Sequence, residues 1–221
     1  MGDTHIDDFF DHALKHGELS EAELASEANV LLTAGAETSS TALAATFWYL
    51  KTNPATLKEL QKEVRHHRRR SGQAAVSQRR SEESMRLFSP VLTGGPRISH
   101  GGSVDGHYVP QGTAVTGAPF AMSRDPRCIP APDAFEPERW LGERKQREKP
   151  YSAPFSIGPR ACLGINLSWL EMGITLAKLI YRYDWVLEAD QNKGYDWIAG
   201  CKMRFMWKKP ELMAHFVPVQ E

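Results

Sequence analysis

Cysteine is scarce in this 221-residue chain: Cys128, Cys162 and Cys201 are all it has, an odd set with no C-x-x-C spacing. Neither a disulfide framework nor a zinc site is expected from such a set, and a reducing compartment suits it better. Excess charge is lacking too. With 27 Lys plus Arg against 27 Asp plus Glu, there is no electrostatic case for nucleic acid as a partner. No uninterrupted apolar run approaches the roughly 20 residues that span a bilayer, and the opening MGDTHIDDFFDHAL is acidic, without the basic-then-apolar order of a signal. Ile6 stands where a myristoylation pattern starting at Gly2 needs Ser or Thr, so lipidation is not expected. No internal repeat is visible. What remains is a chain long enough to bury a core, as one large domain or two small ones.

Periodicity and punctuation place the elements. From Ser20 to about Leu50 the chain reads as one long helix, with Ser20 as cap, Glu23 three residues on, and Asn53-Pro54 as the stop. Its middle, AGAETSS, is rich in small residues, and the Thr38 hydroxyl is placed to bond back to the Ala34 carbonyl. Close helix packing is one reading of that stretch, and a flat ligand lying against the backbone is the other. A second helix runs from Pro54 to about Arg65 with Leu57, Leu60 and Val64 on one face. The Arg-rich run over 66–80 has no apolar period and is expected to be irregular, leaving SEESMRLF for a short helix over 81–88. Adjacent His66 and His67 do not share a helix face and are poor joint metal ligands. Val104 to Val109 followed by Pro110-Gln111-Gly112 reads as a hairpin, the Pro-rich stretch from Arg124 to Trp140 as a surface loop, and YRYDWVLE and KMRFMWKKPELMAHFVPV as terminal strands around a turn at Asp190–Gly194. The expected class is therefore mainly α with small β-sheets.

The densest chemical signal is PFSIGPRACLGINL, where Phe155, Ser156, Gly158, Arg160, Cys162 and Gly164 stand in the order F-S-x-G-x-R-x-C-x-G before an amphipathic segment, the whole covering 155–182. A cysteine just before a helix start is aimed at by backbone N–H groups and a partial positive charge, which favours a thiolate. Gly158 and Gly164 permit close approach to a flat macrocycle, Phe155 can cover the sulfur, and Arg160 can pair with a carboxylate. A buried cysteine beside incidental glycines is the plainer alternative.

This run resembles the haem-thiolate loop of the cytochrome P-450 family, and three further stretches resemble that family's motifs in the same order. AGAETSS, with Ala34, Gly35, Glu37 and Thr38, is similar to the oxygen-binding part of its long central helix. Glu83 to Arg86 matches its E-x-x-R helix. Phe135-Glu136-Pro137-Glu138-Arg139-Trp140, over 135–140, matches the loop whose arginine closes a triad with that Glu and Arg. The resemblance implies the C-terminal portion of the family's fold over 1–221, with haem b (iron protoporphyrin IX) held through Cys162 as the metal ligand and through Phe155, Gly158, Arg160, Gly164, Gly35 and Arg97. It makes Thr38 and Glu37 the alcohol and acid of proton delivery, and Glu83, Arg86 and Arg139 a structural triad. It implies a monooxygenase that takes O2, a small lipophilic substrate and electrons from NADPH-cytochrome P-450 reductase, in secondary or xenobiotic metabolism. The details of this run and of FEPERWLG are most like fungal microsomal members.

Such members usually sit on the cytoplasmic face of the endoplasmic reticulum through an N-terminal helix. This chain carries no anchor or signal, so a cytoplasmic location is expected if it is expressed alone. The family normally needs about twice this length, and the alternative reading is a truncated, non-catalytic remnant that keeps the haem-ligand loop but lacks the N-terminal half. Expressed alone, such a chain is expected to aggregate and take up haem weakly.

Overall fold

A computed structural model describes residues 19–66, 73–188, 195–204 and 206–219. The acidic opening segment, His67 and the expected turn at Asp190–Gly194 lie outside the described residues. The chain divides into two compact units, residues 1–38 and 39–221.

Helix α1 (Glu21–Thr52) starts where its cap predicts. The Ser20 hydroxyl donates to Glu23 Oε2 at 2.7 Å, the Ser20 N–H donates to the same oxygen at 2.8 Å, and the Glu23 N–H donates to Ser20 Oγ at 3.4 Å. This reciprocal box satisfies donors that the first turn leaves without intrahelical partners. In the first unit the helix stretch through Val30, Leu31 and Leu32 is exposed.

The second unit carries the core. Helix α2 (Pro54–His66) buries Leu60 and Val64, as its period predicts, and packs on α6 (Ile165–Arg182). Arg65 closes the far end of α6: its Nε donates to the Ile180 carbonyl at 3.1 Å and its Nη2 to the Tyr183 carbonyl at 3.3 Å. A cation at a helix C-terminus meets carbonyls that have no N–H partner and the negative end of the dipole. Helix α3 (Gln73–Leu87) lies along α6, where Met85 meets Met172 beside Ala42 of α1.

Among the described residues there are three two-stranded antiparallel sheets. Strand β1 (Arg97–Ile98) pairs with β4 (Ala114–Val115), and β2 (Gly102–Val104) pairs with β3 (His107–Val109) through a turn in which Asp105 and Gly106 both have positive φ, 48° and 79°. A two-residue hairpin turn of that handedness matches the strand twist and needs Asp-Gly or Asn-Gly. Strand β5 (Tyr183–Leu187) pairs with β6 (Ala214–Pro218), Trp185 opposite Phe216. Two short helices, α4 (Pro119–Met122) and α7 (Trp197–Gly200), and α5 (Gly142–Glu148) complete the helical set among the described residues. Aromatic rings fill the centre: Phe88 stacks on Trp207 with centroids 4.2 Å apart, and Trp207 Nε1 donates to the Ser89 carbonyl at 2.8 Å. Burying a ring with its polar edge satisfied keeps the apolar gain without the desolvation cost.

Three expectations are corrected. The segment expected to be irregular over 66–80 ends in helix, because α3 starts at Gln73, eight residues before the 81–88 helix read from sequence. Ion pairs seat it at 79–80: Arg80, wholly buried, reaches Glu63 of α2 at 2.7 Å, and Arg79 reaches the same carboxylate at 2.9 Å. The stretch from Arg124 to Trp140 is no mere surface loop, since it buries Ile129, Pro137, Arg139 and Trp140. Of the long terminal strand, only Ala214–Pro218 forms a ladder, with single bridges at Lys202–Lys208 and Val91–Met206 before it.

Candidate haem-thiolate site

Cys162 sits at the end of a loop whose backbone is set by its own sequence. A short 3-10 turn, Gly158–Arg160, follows Ser156 at φ 60° and Gly158 at φ 73°. The left-handed region suits glycine and strains serine, so this loop holds its shape at some cost. It closes on itself where the Cys162 N–H donates to the Phe155 carbonyl at 2.8 Å. Helix α6 then begins at Ile165 with Gly164 as N-cap and no side chain capping it. The sulfur lies beside that N-cap: a Cβ added at Gly164 would stand 3.9 Å from Cys162 Sγ. Uncapped N–H groups beside a sulfur are the arrangement that tunes a thiolate ligand.

The loop is anchored at its start and bare at its end. Phe155 is half-buried against Trp169, centroids 5.4 Å apart, in the cluster of Ala42, Met85 and Met172. Cys162 is exposed, with Ile157 78% and Leu163 98% exposed beside it in the sequence. Along α6 the exposed apolar stripe continues through Leu167, Leu170 and Ile174 at helical spacing. An exposed thiol on a segment rich in uncovered apolar side chains has the chemistry of a ligand for a metal carried by an apolar group. Among the described residues no group of three or more His, Cys, Asp or Glu could hold a metal ion, which excludes there a site built of protein ligands alone. One sulfur donor on an apolar face fits a metal that brings its own macrocycle. The residues present therefore fit haem.

The other two cysteines are less suited. Both are half-buried, and burial pushes the Cys201 thiol up to about 11. Its sulfur is 3.3 Å from the Trp197 carbonyl, as a donor. Arg160 is exposed, and Arg97 folds back on its own chain, its Nη1 donating to the Gly95 and Pro96 carbonyls at 3.0 and 2.9 Å. In the first unit, Thr38 Oγ1 donates to the Ala34 carbonyl at 2.6 Å, the back-bond expected from the sequence, and Gly35 has nothing within 4 Å of where a Cβ would stand.

The triad residues meet in a dry interior. Glu83, Arg86 and Arg139 are all wholly buried. Arg86 is bidentate on Glu83, Nη2 to Oε1 at 2.8 Å and Nε to Oε2 at 2.9 Å, while Arg139 Nε reaches Oε1 at 3.3 Å. Two further donors fill the Glu83 carboxylate: the Glu136 N–H at 3.0 Å and Trp140 Nε1 at 3.0 Å. The guanidiniums also donate to carbonyls of 123–134, and Arg139 Nη2 reaches the half-exposed Glu136 carboxylate at 3.5 Å. Arg86 takes Ser123, Pro132 and Ala134, and Arg139 takes Pro130 and Ala131. Sequence reasoning missed one member, Glu148, which is also wholly buried and accepts from Arg139 Nη1.

Comparison with known proteins places this geometry. A family model described as Cytochrome P450 matches residues 3–211. The chain is 34% identical over 211 residues to a cytochrome P450 monooxygenase, ORF9, of Penicillium roqueforti (strain FM164), which covers 92% of this chain and 41% of that protein. It is 38% identical over 210 residues to a trichothecene C-15 hydroxylase of Fusarium sporotrichioides, covering 89% and 42%. The haem domain of cytochrome P450DA superposes with a TM-score of 0.78 at 21% identity, covering 91% of this chain and 46% of that one. The chain thus spans less than half the length of these relatives.

Proposed function

Because the chain belongs to the cytochrome P450 family, we propose that it is the thiolate-bearing portion of a haem monooxygenase and that Cys162 is its axial ligand. The observation that carries this reading is the exposed Cys162 beside Gly164, the N-cap of α6, on a loop pinned by Phe155. Haem b, when bound, supplies the activation of O2 for insertion of one atom into a substrate C–H bond.

The chain's own residues supply position and protons. Phe155 seats the loop against Trp169, and Gly164, with no Cβ, leaves room beside the sulfur. Arg160 and Arg97 would serve as partners for the group's carboxylates, Gly158 would let the backbone approach it, and the family resemblance gives Gly35 of the first unit the same task. Thr38 Oγ1, both donor and acceptor, holds a proton-carrying water, and Glu37 replenishes that proton. Glu83, Arg86 and Arg139 keep the loop ahead of Cys162 in place. The reading takes a small lipophilic metabolite as substrate and NADPH-cytochrome P-450 reductase as electron donor; the relatives' names, monooxygenase and hydroxylase, support the reaction class.

The test is spectroscopic. Cys162→Ser should abolish the strongly red-shifted Soret band of the ferrous carbon monoxide complex, while Cys128→Ser and Cys201→Ser keep it. Retention of the band in Cys162→Ser overturns the assignment. A second reading, that the 221 residues by themselves do not enclose the group, is favoured by the bare stripe from Leu163 to Ile174. Stoichiometric haem uptake by a soluble monomer would dismiss it.

A further inference from the structure

A buried cluster of one carboxylate and two guanidiniums carries one excess positive charge, and an uncompensated charge in a dry interior is strongly destabilising. Glu83, Arg86 and Arg139 are such a set. Two acids face Arg139 besides Glu83: Glu136 reaches Nη2 at 3.5 Å from a half-exposed position and is shared with Arg144, whereas Glu148 offsets the excess from within the dry interior. Its Oε2 accepts from Arg139 Nη1, on the far side of that guanidinium from the Nε that serves Glu83, and its side chain is wholly buried. Its other oxygen accepts from Arg144 Nε at 3.1 Å and Arg147 Nη2 at 3.2 Å, two arginines that reach solvent. Arg80, the other wholly buried arginine named here, is held separately by Glu63.

Position in the chain gives this charge a second role. Glu148 is the last residue of α5, and the 3-10 turn Lys149–Tyr151 leads from it directly toward Phe155 and Cys162. We propose that Glu148 is a positioning residue of the thiolate loop: it makes the buried cluster an electroneutral tetrad and fixes the point from which residues 149–162 depart. The inference deepens the haem-thiolate reading and rests on it only for what the loop is used to do. Burial pushes the Glu148 carboxyl up, but the hydrogen bonds from Arg139, Arg144 and Arg147 outweigh this and hold it below the usual carboxylate range, so it is charged at neutral pH.

Glu148→Gln keeps the size and one acceptor while removing the charge. In the full chain, hydrogen exchange over 149–164, including the Cys162 N–H, should rise about tenfold while the β5–β6 hairpin stays within about twofold of the parent. The double variant Arg139→Gln/Glu148→Gln, again electroneutral, should recover most of that protection. Unchanged exchange in Glu148→Gln overturns the proposal, as does an equal rise in loop and hairpin, which marks a global loss. If Glu148→Gln does not fold, a folded double variant supports the proposal and an unfolded one overturns it. A parent chain whose 149–164 segment exchanges like free peptide overturns it as well. None of these measurements reads haem, so loss of the Cys162 assignment would leave them standing.

Discussion

Trp140 Nε1 donates to Glu83 Oε2 at 3.0 Å, with both side chains buried, so the indole of the P-E-R-W turn is a working member of the ion cluster and not only packing. The turn's own sequence joins Arg139 and Trp140 to one carboxylate from neighbouring positions. Tyr49 stacks on Phe135 at 5.3 Å just ahead of it, and burial pushes that phenol up to about 12.

Trp140→Phe should therefore cost about 1–3 kcal/mol, the penalty of leaving a buried carboxylate short of one donor while keeping most of the ring. Urea unfolding of the two chains gives the difference. A midpoint equal to the parent's would show that the bond contributes nothing.

Acid should weaken the fold through Glu148. Its folded pKa is lowered, so its stabilisation is fully present above the unfolded carboxylate value of about 4.3 and is lost as pH falls through the lower folded value. Melting temperature measured from pH 7 down to 3 should drop in the parent and drop less in Glu148→Gln, which has no proton to gain.

Glu82 has the opposite sign. Burial raises its pKa, with Lys145, Lys149 and Gln78 only partly offsetting this, so the charged form is penalised in the folded chain at neutral pH. Glu82→Gln should melt above the parent at pH 7, and the gap should close as pH falls through the raised folded value toward the unfolded one. A lower melt at pH 7 would mean that its charge is needed where it stands.

Ser20→Ala should remove the capping box and cost about 0.5–2 kcal/mol locally. Exchange of the first two turns of α1 is the measure, and the cores around Trp207 and Met172 should not respond.

Much of this was legible before any coordinates. Ser20 and Glu23 announce a capping box by spacing, Leu60 and Val64 announce a buried face by period, and the order of Glu83, Arg86, Arg139 and Cys162 announces a triad ahead of a ligand loop. Two things were not. Helix α3 begins at Gln73 ahead of its apolar residues Met85 and Leu87, and its middle is seated by Arg79 and Arg80 on Glu63; a long-range ion pair leaves no periodic trace in sequence. Glu148 was hidden for a related reason. In GERKQRE it looks the same as Glu143, and only the position of the Arg139 guanidinium, brought in by another element, decides which of the two is buried. The one available signal was arithmetic: two arginines against one glutamate called for a second acid.

Arg86 and Arg139 also act as a ruler. Between them they grip the carbonyls of Ser123, Pro130, Ala131, Pro132 and Ala134, so the coil from 123 to 134 is measured residue by residue against two rigid guanidinium planes. Loops ordinarily absorb insertions and deletions with little penalty. This one does not have that freedom, because one added residue would shift every later carbonyl off its donor and leave buried N–H groups unpaired. Across descendants of this gene, side chains in that coil should drift while its length stays fixed.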